Sequence, residues 1–162
     1  MRGIEGVIDE LERSLEGEPW HGASLCEILK GVSAREAAAH PVVGAHSIWE
    51  LAHHVTAWVR AVHSRVQGRA TEPVGEADWP PVHDTSENAW TVALEELRRS
   101  QLELIATLKT LTDADLSASV PSRGYDRAYL LHGLTQHHAY HAGQMSLLKL
   151  AMKRQSKEAT SP

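Results

Sequence analysis

Toward its C-terminal end the chain reads QHHAYHAGQ, Gln136 to Gln144, within a long stretch of helical periodicity. His137 and His141 are four residues apart, so on a helix they lie one above the other on a single face. Two imidazoles at that spacing suit one shared metal ion. At ~100° per residue, Leu130, Leu134, His137, His141, Met145, Leu148 and Met152 fall in one stripe with the histidines near its centre. The histidines therefore face the core. An imidazole nitrogen left unpaired among Leu and Met side chains costs about 1–3 kcal/mol. The pair needs either a common metal or separate hydrogen bonds across the core, and a third ligand from another element would decide between these.

The second long helix is expected over Ser47 to Gln67, with Ile48, Leu51, Ala52, Val55, Trp58, Val59, Val62 and Val66 as its apolar face. It carries two adjacent histidines. His54 lies at the flank of that face, about 95° from its centre, whereas His53 points about 165° away, into solvent. His54 is the inward candidate. His54, His137 and His141 would present three neutral nitrogens from two elements, leaving positions for water and substrate on zinc, nickel or ferrous iron. That is the catalytic rather than the closed structural pattern.

Other chemistries find less support. Glu50 and His53 form one Glu-x-x-His, but a di-iron centre needs a second such motif and carboxylates on the other helices, where the fourth helix offers glutamine and alanine. The chain has neither a nucleophile elbow nor a glycine-rich phosphate loop. Cys26 has only its closeness to His21 in sequence to suggest a nucleophile. Of the 11 histidines, His21, His53, His63, His83 and His132 read as solvent-facing. Glu50, one turn before His54, and Gln144, three residues after His141, are placed to hydrogen-bond a ligand nitrogen or bound water. A solvated helix position explains each equally well. Tyr140 either borders the pocket or packs at a helix interface, and Trp49, Trp58 and Trp90 suit a core or a dimer interface.

Four amphipathic helices would position these residues. The first covers residues 3 to 16 with Ile4, Val7, Ile8, Leu11 and Leu15 inward, ending at Gly17 and Pro19. Ser24 can cap a short helix over Leu25, Ile28 and Leu29, and Ser33 with Glu36 makes a capping-box pattern before Pro41 and Gly44. After the second long helix, the 17 residues Gly68 to Asp84 show no periodicity. They could stretch ~55 Å against the ~32 Å of a 21-residue helix, enough to cross a whole bundle. Trp79 in this loop is expected at a pocket mouth. Asp84 with Glu87 should start the third helix, which carries Trp90, Leu94, Leu97, Leu104, Ile105, Leu108 and Leu111. The fourth is expected from Arg127 to Arg154. With no strand pattern, the reading is an all-α four-helix bundle with a long crossover between helices two and three, one domain over residues 1–155 and a frayed tail over 156–162.

At 162 residues the chain suits a single core. Its net charge of −5 gives no basic footprint for nucleic acid or an anionic membrane. No apolar run reaches the ~18 residues of a spanning helix, and the start is too charged for a signal peptide. A single cysteine suits a reducing compartment, so the cytoplasm is the expectation.

HSIWELAHHVTAW, His46 to Trp58, and GLTQHHAYHAGQMSLL, Gly133 to Leu148, resemble the two signature segments of the DinB/YfiT-like superfamily of bacterial metalloenzymes. The resemblance covers most of the chain to about Arg154. It implies one metal histidine from the first segment, falling on His54, and an H-x-x-x-H from the second, falling on His137 and His141. The chain departs at His138, where many relatives carry Asp. The resemblance further implies a bundle with a crossover, frequent dimers, one divalent ion at the contact of helices two and four, and in some relatives S-transfer or isomerisation with low-molecular-weight thiols. Two functions are therefore carried forward: a metal-dependent enzyme acting on a small electrophile, and a non-enzymatic metal-binding or stress-induced dimeric bundle whose histidine site is vestigial or only stabilises.

Overall fold

The computed structural model describes residues 3–160, with side chains described through residue 155. The protein is all-α. Its helices are α1 (Ile4–Leu15), α2 (Leu25–Leu29), α3 (Ala34–Ala38), α4 (Ile48–Val66), α5 (Glu87–Leu108) and α6 (Arg127–Thr160), with single 3-10 turns at Gly75–Ala77 and Asp113–Ser117. Among the described residues there is no strand, only an isolated antiparallel bridge between Ser119 and Asp126.

Side-chain caps set the helix starts. Ser24 Oγ accepts the Glu27 amide, and Ser33 with Glu36 closes a reciprocal capping box. Ser47 and Glu50 do the same for α4, with Ser47 N donating to Glu50 Oε2 at 2.7 Å and Glu50 N donating to Ser47 Oγ at 3.1 Å. Each such cap is worth about 1 kcal/mol. The start of α5 differs from expectation: Ser86, not Asp84, is its N-cap, and Asp84 instead accepts the Ser86 amide at 2.9 Å. The Glu87 carboxylate reaches across to the Ala34 amide at 3.0 and 3.1 Å, tying the start of α5 to that of α3.

The end of α4 is equally defined. Gly68 takes φ +84°, and the Gly68 and Arg69 amides donate to the Arg65 and Ser64 carbonyls at 3.0 and 3.1 Å. This is a Schellman ending, in which a glycine adopts the left-handed conformation that a β-carbon would penalise.

Helix α4 packs against both α5 and α6, while α6 also contacts α1 and α2. Ile48, Leu51, Ala52, Val55, Val59 and Val62 of α4 are buried, together with Leu97, Leu104 and Leu108 of α5 and Leu130, Leu134, Met145 and Leu148 of α6. Each large aliphatic side chain removed from water contributes about 1.5–3 kcal/mol. Trp49 and Trp90 belong to this core: their rings meet at 5.0 Å, and Trp90 Nε1 donates to the Val32 carbonyl at 2.8 Å. Helix α6 runs to Thr160, beyond the end expected at Arg154. The last two positions of the expected tail, 161–162, lie outside the described residues. No helix among the described residues is long and apolar enough to cross a membrane.

Candidate metal centre

Helix α4 supplies His54 and α6 supplies His137 and His141, and the packing of the two helices brings the three rings together. His54 Nε2 lies 3.1 Å from His137 Nε2, and His141 Nε2 lies 3.0 Å from the same atom. One ligand atom from each of the three falls within 4.8 Å of the others. Nitrogens bound to one ion at 2.0–2.1 Å are separated by roughly 3.0–3.4 Å, so two edges of the triangle already have that dimension.

The outer nitrogens explain why the inner ones converge. His54 Nδ1 is 2.9 Å from the Asp78 carbonyl and 3.0 Å from Asp78 Oδ1; His141 Nδ1 is 2.6 Å from Gln144 Oε1. Oxygens that only accept require a proton on each Nδ1, which leaves each Nε2 as a bare lone pair. Burial, reinforced by His141, His54 and His138, pushes the His137 pKa down to about 3. Burial likewise lowers His141, against the opposing hydrogen bond from Gln144. A neutral His137 has one proton to offer two facing lone pairs, and its own buried Nδ1 has no partner. The cluster thus holds more acceptors than donors. A divalent cation resolves that surplus, so the residues fit one, with three imidazoles and no thiolate in the donor set.

A family model described as the DinB superfamily matches residues 20–145. The chain belongs to the DinB superfamily. No curated protein and no solved structure matches it significantly. The DinB match contains all three clustered histidines, whereas α1 lies outside it.

Beside the cluster this DinB chain has a cavity of about 440 Å³, walled by Trp58, Val62, Tyr125, Leu130, Leu134 and Tyr140 as well as the histidines. Tyr140 is exposed, with its ring edge-on to His141 at 5.0 Å. Trp79 does not roof this cavity. It is sandwiched flat between His46, at 3.6 Å, and His54, at 3.9 Å, and so shields the outer face of a cluster histidine.

Several residues stand elsewhere than their spacing suggested. Glu50 does not reach the cluster: its carboxylate is turned back to the Ser47 amide by the capping box and lies 3.0 Å from His40 Nε2. Burial raises that carboxyl, but the bonds from Ser47 and His40 together hold it below its ordinary value. His53, His63 and His132 are half-buried rather than solvent-facing. His53 accepts from Trp49 Nε1 at 3.0 Å and lies 3.2 Å from the Pro80 carbonyl. His63 meets Thr107 at 2.7 Å, and His132 meets Glu10 at 3.0 Å. The rotation argument fails for them because it knows nothing of the loop or helix laid over that face. His21 and His83 are exposed. Burial raises the Cys26 thiol above its ordinary value, with Arg98 opposing. A protonated thiol is a poor nucleophile.

Two residues carry more than the sequence indicated. Asp78, in a loop without periodicity, holds His54 and also accepts from Trp58 Nε1 at 2.8 Å. Nothing local marks it. His138 is fully buried against α1, with Nδ1 2.9 Å from Ser14 Oγ. A signal for it did exist: Leu131, His138, Ala142 and Met145 recur at helical spacing and are all buried, a second apolar stripe beside the first.

Proposed function

We propose that this DinB-superfamily chain is a divalent-metal-dependent enzyme that joins a low-molecular-weight thiol to a small electrophile. His54, His137 and His141 would hold the ion, and zinc, nickel and ferrous iron all suit the donor set. The observation that carries the reading is the convergence of three Nε2 atoms while the outer nitrogens of His54 and His141 are engaged by oxygen acceptors. An ion there would favour the deprotonated form of a thiol or water near neutral pH.

The protein's own groups supply orientation and shielding. Asp78 and Gln144 set the ring angles and tautomers of His54 and His141. Trp79 keeps water from the outer face of His54, and the apolar cavity walls receive the electrophile. In the transfer, the thiol proton passes to solvent and the sulfur electron pair forms the new carbon–sulfur bond. The leaving group departs with the electron pair of the broken bond and takes a proton from water. The choice of S-transfer rests on the resemblance of the two histidine segments.

The same reading takes the molecule to be a four-helix bundle of α1, α4, α5 and α6, with residues 67–86 as a long crossover, working as a cytoplasmic homodimer. The test is metal content of untagged protein purified without chelator, followed by turnover with a panel of thiols and electrophiles. About one ion per chain, and turnover abolished by His54→Ala in a protein that keeps its helical circular dichroism, would support it. Tight metal with no turnover across the panel would favour the non-enzymatic bundle with a stabilising site, and substoichiometric metal would sink the enzyme reading and leave only a bundle whose histidine site is vestigial.

A further inference from the structure

We propose that the cavity beside the histidine cluster takes small molecules with a flat apolar body and a carboxylate end, and that Arg65 selects the carboxylate. This rests on the reading that the cavity serves the cluster. Arg65 follows His54 by eleven residues, which at ~100° per residue returns it to within ~20° of the same face of α4. The Schellman ending at Gly68 fixes the last turn that carries it.

The Arg65 side chain is 3% exposed and lies between this cavity and a smaller one lined by Thr71, Glu72 and Arg123, contributing to the wall of both. Its Nε donates to the Thr71 carbonyl at 2.7 Å, and its guanidinium lies 5.3 Å from the Trp58 ring centroid. Its Nη2 is buried with no hydrogen-bond partner, and among the described residues no carboxylate lies within ion-pairing distance of it. The acids around it are engaged elsewhere. Asp78 Oδ1 serves Trp58 and His54, and Glu72 pairs with Arg123 at 2.6 Å, with Arg65 the weakest influence on it.

A buried guanidinium without an anion is an expensive arrangement, and a bound carboxylate is the planar acceptor its fork matches. A role confined to fastening residue 71 would use Nε alone and leave Nη2 unexplained. The Trp58 ring is 5.7 Å from the His137 ring and 5.3 Å from the guanidinium, so one indole separates the anion reader from the cluster. Val62, Leu130 and Leu134 add apolar walls. A ligand spanning this space would lay its flat body along Trp58, its carboxylate at Arg65 and its other end at the histidines.

The test compares naphthalene-2-acetate with naphthalene-2-acetamide by titration calorimetry, on zinc-loaded and on chelator-stripped protein. The acid should bind at least ~10-fold more tightly than the amide in both forms, because a charge-assisted bond to Arg65 is lost in the amide. Arg65→Met should bring the two ligands to within about threefold of each other. Arg65→Gln, which can still donate to the Thr71 carbonyl, makes the same comparison if the methionine variant fails to fold. Equal binding of acid and amide by wild type, no binding of either at millimolar concentration, or a preference that survives the loss of the arginine would overturn the proposal. So would a preference that vanishes with the zinc, since the carboxylate would then be binding the ion. Failure of the protein to bind zinc, with the acid preference intact, would instead remove the metal reading and leave this one standing.

Discussion

His137 and His138 are neighbours on one helix, identical in type, and both driven by burial to a pKa of about 3. Their surroundings separate them completely. His137 faces α4 and meets two other imidazoles; His138 faces α1 and meets the Ser14 hydroxyl. One rotation of ~100° moves an imidazole from a cavity wall into a packed interface. A perturbed histidine is therefore no sign of a site by itself. What distinguishes the two is whether other donors converge on the same point.

The comparison is broken most directly at the cluster. His141→Ala should weaken zinc or nickel binding by ~100-fold or more while the helical signal persists, because two imidazoles remain of three. Titration with a chromophoric metal indicator measures this, and retained affinity would dissolve the difference between the two histidines. His138→Ala should do the reverse: metal affinity within about threefold of wild type, and a stability loss of about 2–4 kcal/mol in urea from a cavity and an unpartnered Ser14.

Acid should affect both histidines alike in the metal-free protein. Above pH 6.5 neither is protonated in either state. As pH falls from 6.5 toward 3, the unfolded chain binds protons that the folded chain refuses, so stability is lost. Each should contribute a loss of about 2 kcal/mol between pH 7 and pH 5. Urea midpoints at the two pH values test this, and His138→Ala should remove about half of the combined loss.

Smaller effects sharpen the contrast between residues that touch the cluster and those that do not. Asp78→Ala and Gln144→Ala should each weaken metal binding about 10-fold by freeing a ring nitrogen. Glu50→Ala should leave affinity unchanged and cost about 1 kcal/mol of thermal or urea stability, as the loss of a capping box does.

Much of this is legible in the sequence. His54, His137 and His141 were found from rotation angles and an i, i+4 spacing, both properties of a helix alone. Ser24 and Ser33 mark helix starts because a cap acts within four residues, whereas at the start of α5 two candidate oxygens stand two residues apart and the structure uses Ser86 rather than Asp84. For Glu50 the spacing leaves a ligand contact and a solvated position equally open, and the capping bond decides: a carboxylate one turn before His54 is also the third residue after Ser47, and the shorter-range bond takes it. His138 stands out in the sequence only as a departure from its relatives, and its burial is not read there because the single apolar stripe recognised in α6 is one of two.

The amino-acid order by itself determined the helices, their caps and the faces on which the three histidines lie, because these depend on interactions a few residues long. Only the tertiary structure decided that Asp78 holds His54, that Trp79 lies flat on it, that Pro80 covers His53 and that Arg65 is buried with one nitrogen unpaired. Those contacts join α4 to a loop with no period of its own. A chain segment without periodicity carries no local record of the surface it will cover.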